Sequence, residues 1–253
     1  MSLFFELKKE LTHALPTSEN WWTKSGWSEL RADKAIVEKL TGAVRRTKMF
    51  ATGQDYKKNQ KGEKALLLRT VTELSEHRVK RIKESRYLEE FLERYIAASC
   101  RDIGIQNQYN ILSGILKNQT RKAIDLVRIN GEDELCELIE LKASNNVVDN
   151  PLSAAFEIIL DYFILEAIRE DVARIEKLTI LAPRRYYDYF GEPEDGFAAI
   201  VNALSGSIGR KLDFQALGTE LDEEALSVDL KPGELQKDNR VLEWFKGRTS
   251  VRP

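Results

Sequence analysis

Polar and apolar positions alternate differently along the chain, and each change of pattern marks an element. Ala123 to Ile129 and Leu135 to Ala143 are short runs rich in β-branched and aliphatic residues, separated by Asn130-Gly131-Glu132-Asp133, the residue types that tight turns prefer. They predict a β-hairpin. A four-residue loop at Gly131 to Glu134 sets Ile129 opposite Cys136, Val127 opposite Leu138 and Asp125 opposite Glu140, because opposed residues on antiparallel strands share a face. A two-residue loop at Asn130-Gly131 slides the pairing yet leaves Asp125 on the Glu140 face. Lys142 joins them, since residues two apart point the same way. The other face, Ile124, Leu126, Leu135, Ile139 and Leu141, belongs on a core.

Helical periodicity flanks the hairpin. Tyr87 to Cys100 is amphipathic, with Leu88, Phe91, Leu92 and Tyr95 pointing inward, and Gln108 to Leu116 is a plausible first strand. Asn150 to Asp171 reads as a long helix with Asn150 as its cap and Pro151 in its first turn. Ala155, Phe156, Ile159, Leu160, Phe163, Ile164 and Ala167 form its apolar face, and Ser153, Glu157 and Asp161 a polar stripe. Lys177 to Ala182 is a further strand, and "FAAIVNALSGSIGRKLDFQAL" adds a helix and an edge strand. The order predicts an α/β fold. Residues 1–84 read as a helical, partly basic extension, with Trp21, Trp22 and Trp27 near its front. Residues 85–217 form the core. Residues 218–253 form an acidic tail with a short docking helix around "VLEWFKG".

Composition narrows the class. The chain is 253 residues long and 42% hydrophobic, without an apolar run long enough to span a bilayer, so a soluble protein with no membrane partner is expected. "MSLFFELKKELTHAL" reads as an amphipathic helix rather than a signal peptide. Two cysteines, Cys100 and Cys136, fit a reducing, cytoplasmic compartment, and two histidines give little support to zinc chemistry or a histidine-based triad. Net charge is −2, but Arg45 to Arg86 holds thirteen Lys and Arg against five acids, a local +8. That segment reads equally well as a solvated helix face with a charged loop and as a contact for backbone phosphates.

Asp125, Glu140 and Lys142 change the picture most. Two opposed carboxylates repel and are costly to desolvate unless a cation or a shared proton neutralises them. Mg²⁺ suits them, as a hard cation that takes one or two carboxylates and keeps waters for phosphate oxygens; Mn²⁺ is an alternative. A lysine beside them can hold the attacking water and balance charge on a phosphorane-like transition state. An incidental salt bridge at a strand end is the plainer alternative. Acid-x-Lys recurs at Glu6-Leu7-Lys8 and Asp229-Leu230-Lys231, the latter with Asp213 upstream, but Pro232-Gly233 and an acidic run deprive that rival of a surrounding fold.

The arrangement resembles the PD-(D/E)xK nuclease superfamily over residues 85–217. Asp125 matches its lone Asp, Glu140 its second acid and Lys142 its lysine; Ile124 stands where Pro is the usual residue. The resemblance implies a restriction-endonuclease-like αβββαβ core with a mixed central sheet flanked by helices. It implies phosphodiester hydrolysis of nucleic acid, DNA first, with the metal on Asp125, Glu140 and the Leu141 backbone carbonyl. A supporting role falls to one of Glu89, Glu90 and Glu93 in the first helix, with Glu89 and Glu93 on one helical face, and to Glu157 in the next, although solvation is the default for such residues. Asn145 on the cleft rim, with Arg184 and Arg185 beside Tyr186, Tyr187, Tyr189 and Phe190, would touch nucleic acid; a helix start whose rings pack on the core is the competing reading of that stretch. Cutting both strands of a duplex would require a homodimer. The alternative is the same fold as a nucleic-acid-binding or assembly module without catalysis.

Overall fold

The computed structural model describes residues 3–53, 88–110, 123–130, 134–144, 146–168, 174–191, 196–217 and 239–251. Within them the helices are α1 (Leu3–Leu11), α2 (Lys24–Ala32), α3 (Ile36–Thr52), α4 (Leu88–Ser99), α5 (Pro151–Ile168), α6 (Arg184–Phe190), α7 (Gly196–Ile208) and α8 (Asn239–Lys246). The strands are β1 (Ile105–Asn110), β2 (Ala123–Ile129), β3 (Leu135–Leu141), β4 (Lys177–Pro183), β5 (Lys211–Leu217) and β6 (Thr249–Ser250), side by side in chain order in one six-stranded sheet. β1, β2 and β3 are antiparallel neighbours; β3, β4 and β5 are parallel; β6 runs antiparallel to β5. Parallel neighbours cannot be joined by a tight turn, so α5 carries the chain from β3 to β4, and α6 and α7 carry it from β4 to β5. The result is an α/β fold with a mixed sheet and helices on both faces.

Each face has its own core. On one, Val127, Leu138, Ile180 and Phe214 meet α5 and α7, and Leu7, Trp21, Trp27 and Leu40 of the amino-terminal segment join the same cluster. On the other, Leu126, Ile139, Leu141 and Leu181 pack under α4 (Leu92, Tyr95, Ile96) and α8 (Val241, Trp244, Phe245). Among the described residues no helix is long and apolar enough to cross a membrane.

Helix α5 starts as its sequence implies. Asn150 Oδ1 accepts the Ser153 N–H at 2.8 Å, which satisfies a first-turn donor, and Pro151 occupies the position that needs none. Its polar stripe does not face water, however. Ser153 and Asp161 are fully buried, because α3 covers the side of α5 away from the sheet. A helix enclosed on both sides is apolar nearly all round.

Other expectations are corrected. β1 begins at Ile105 rather than Gln108; residues 111–116, in which the strand was expected to continue, lie outside the described residues. The earlier start follows from Gly104, whose φ of +82° turns the chain out of a short 3₁₀ turn, and whose carbonyl accepts the Ile129 N–H at 2.9 Å. Val127 lies opposite Leu138 as expected, but a bulge between Arg128 and Ile129 pairs Ile129 with Leu135 instead of Cys136. An extra residue on one strand shifts the register on one side of it only. Leu135 therefore joins the α5 core and not the Leu126 side; Ile124, away from the bulge, lies in the α5 core as well. Nor is β5 the sheet edge. After α8 the chain returns to add β6 beside it, with Val251 N–H donating to the Phe214 carbonyl at 2.7 Å.

Candidate active site

Lys142 follows β3 directly, and its amide is bound at 2.9 Å to the Leu181 carbonyl of β4, so its backbone is locked between two parallel strands. Its side chain enters the α5 side of the sheet, where Nζ donates to Glu140 Oε1 at 2.5 Å and to Glu157 Oε2 at 3.3 Å. Both Lys142 and Glu140 are only 4% exposed. From β2, the half-buried Asp125 accepts the Leu141 N–H at 3.0 Å. From the first turn of α4, Glu89 accepts the Ala143 N–H at 3.3 Å. Two strands and two helices thus deliver four carboxylates around one ammonium.

The electrostatics follow from that imbalance. Burial pushes the Asp125 carboxyl up to about 7, the neighbouring Glu89 and Glu157 add to the rise, and Lys142 and the Leu141 N–H oppose it. For Lys142, burial works toward a neutral amine, but Glu140, Glu157, Glu89 and Asp125 outweigh it and hold the group well above an ordinary lysine. The ammonium is therefore charged at neutral pH, and Asp125 holds a proton to higher pH than an ordinary aspartate.

The donor set fits a hard divalent cation: all the acids are carboxylates, and negative charge exceeds positive. Among the described residues no group of three or more His, Cys, Asp or Glu side chains is preassembled as a metal cage, and Lys142 fills the space between Glu140 and Glu157.

The remaining candidates divide. Glu157, on the polar stripe of α5 and the residue of that helix expected to support the site, reaches Lys142. Glu93 is drawn to β1 instead, where it accepts from Asn107 Nδ2 at 2.7 Å. It lies about 6 Å further along the helix axis than Glu89, so the two carboxylates serve different neighbours. Asn145 and the side chain of Glu90 lie outside the described residues. Arg184 pairs with Asp188 one turn along α6 at 3.1 Å, and Arg185 is exposed. Three of the four rings beside them are core residues: Tyr186, Tyr187 and Phe190 are buried, and the Tyr187 hydroxyl donates to the Ile180 carbonyl at 2.9 Å, while Tyr189 is exposed. The rival acid Asp213 sits on the opposite face of the sheet, bound to Lys177, Gln215 and Ser250; residues 229–231 lie outside the described residues.

Two contacts near the site carried no signal in the sequence. The buried Tyr186 hydroxyl donates to the Asp149 carbonyl at 2.8 Å, in the loop that follows Lys142. Lys8, from α1, bonds the Asp149 carboxylate. No family model, curated protein or solved structure matches this chain.

Proposed function

We propose that the protein is a Mg²⁺-dependent nuclease that hydrolyses phosphodiester bonds of nucleic acid, DNA first, in the manner of the PD-(D/E)xK superfamily it resembles. The observation that carries the reading is the enclosure of Lys142 by Glu140 and Glu157, with Asp125 and Glu89 adding negative charge that one ammonium does not cancel. The order α4, β1, β2, β3, α5, β4 also matches the helix, three strands, helix, strand of that superfamily.

Asp125, Glu140 and the Leu141 carbonyl would hold the cation. When bound it supplies Lewis acidity, lowering the pKa of a coordinated water and neutralising phosphate oxygens. Lys142, fully charged, holds the attacking water by hydrogen bonding and balances the charge that builds on phosphorus oxygens as the 3′-linked oxygen leaves. Glu157 fixes the direction of that ammonium. Glu89 ties the backbone just beyond it through Ala143.

The closed pairing of Lys142 with Glu140 and Glu157 also favours a second reading, in which the cluster only holds the fold of a nucleic-acid-binding or assembly module. Labelled single- and double-stranded DNA and RNA, incubated in Mg²⁺ or Mn²⁺ with wild type, Lys142→Ala and Asp125→Ala, separates the two. Metal-dependent cleavage lost in both variants supports the nuclease. Metal-free cleavage, or cleavage that survives Asp125→Ala, overturns it, and binding without turnover favours the module.

A further inference from the structure

The loop from Ala143 to Asn150 joins Lys142 to the helix that supplies Glu157, and its far end is held by the amino-terminal helices. Asp149 Oδ1 accepts from Lys8 Nζ and, at 3.3 Å, from Ser153 Oγ. Lys8 is 7% exposed, with its ammonium 4.7 Å from the centre of the Phe4 ring and 5.6 Å from that of Trp22. Trp21 Nε1 donates to the Lys8 carbonyl at 3.1 Å. Asn150 completes the join: its N–H donates to the Trp22 carbonyl at 3.0 Å, and its Nδ2 to the carbonyls of Trp21 at 2.8 Å and Thr23 at 3.0 Å.

These bonds act at one point, the first turn of α5. A charge-assisted bond enclosed by aromatic rings allows little choice of position. A helix turn moves as one piece, so a shift at Asp149 and Asn150 carries Glu157, about two turns further on, with it. A small displacement lengthens the 3.3 Å contact between Glu157 and Lys142.

We infer that Lys8 is a positioning residue, whose ion pair with Asp149 sets where α5 begins and so holds Glu157 against Lys142. The consequence for turnover rests on the nuclease reading; the consequence for the loop does not.

The test uses the full chain in three forms: wild type, Lys8→Met, which keeps the apolar stem between the rings, and Lys8→Arg, which keeps the charge. In Lys8→Met, amide hydrogen exchange over residues 143–156 should quicken about tenfold while β3 and β4 exchange as in wild type. With a cleaved substrate, kcat should fall about tenfold at a KM within about twofold, and Lys8→Arg should restore both readouts. Unchanged exchange over 143–156, a uniform rise across the sheet, or no rescue by Lys8→Arg overturns the assignment. A wild type that cleaves nothing removes the nuclease reading and leaves exchange to decide this one. Should Lys8→Met not fold, Asp149→Asn, which removes the charge but keeps an acceptor for Ser153, is read by the same criteria.

Discussion

Glu157 and Lys142 meet at 3.3 Å across the junction of helix α5 and strand β3, fifteen residues apart in sequence. The contact joins the helix that covers the sheet to the lysine that directly follows β3, a central strand. It makes the direction of the ammonium depend on how the two elements pack.

Glu157→Gln should therefore keep the fold and lower turnover. The amide still offers an oxygen to Lys142 but withdraws one negative charge. A fall in kcat of about tenfold, equivalent to about 1.4 kcal/mol of transition-state stabilisation, is expected in steady-state cleavage assays, with KM little changed. An unchanged kcat would remove Glu157 from the machinery.

Asp125→Asn should stabilise the metal-free protein at neutral pH. The folded carboxyl is raised from its ordinary 3.8 to about 7, so the folded state binds the proton more tightly than the unfolded chain. The stability this contributes is complete below about pH 4 and is lost as pH rises through about 7. Thermal melts of the two proteins in a chelator should thus diverge between pH 4 and 8, by about 2–4 °C for each kcal/mol. A constant gap would contradict it.

Mg²⁺ should reverse that order. A ligand that binds only the folded state raises its melting temperature in proportion to the logarithm of its concentration. Millimolar Mg²⁺ is expected to stabilise the wild type and to leave Asp125→Asn and Glu140→Gln nearly unmoved. Equal shifts in all three would place the cation elsewhere.

Glu137 should govern the acid side. Burial favours its neutral form, but Lys177, the Thr179 hydroxyl, Arg248 and Arg128 together bring the carboxyl below its ordinary 4.5. A depressed carboxyl contributes stability above that value and loses it as pH falls below. Glu137→Gln should flatten the acid limb of the stability curve, and Lys177→Met should cost about 1–3 kcal/mol at neutral pH by leaving a buried carboxylate short of a partner. Denaturant titrations from pH 3 to 7 read both effects.

Gly104→Ala should destabilise by about 1–3 kcal/mol in denaturant unfolding. Its φ is +82°, and an added Cβ would fall 2.0 Å from the Ile129 carbonyl oxygen, where β1 begins.

Much of this architecture was legible because it rests on local periods. The two-residue period of β2 and β3 puts Asp125, Glu140 and Lys142 on one face for a two- or four-residue turn, and Asn150-Pro151 announces the start of α5. The bulge that leaves Cys136 unpaired opposite Arg128 and Ile129 was not legible, since nothing in "ELCELI" distinguishes a paired residue from an extra one. The burial of Ser153 and Asp161 escaped for a different reason. A polar stripe every fourth residue looks the same whether water or another helix lies against it.

By itself the sequence determined which residues can form helices and strands, in what order, and which charges must share a strand face, because these follow from backbone geometry over a few residues. Only the tertiary structure decided that Glu89 and Glu157 join Lys142 while Glu93 turns to Asn107, and that Lys8 holds Asp149 from 141 residues away. Such partners are chosen by how helices pack on the sheet, and packing depends on shape and burial summed over the whole core.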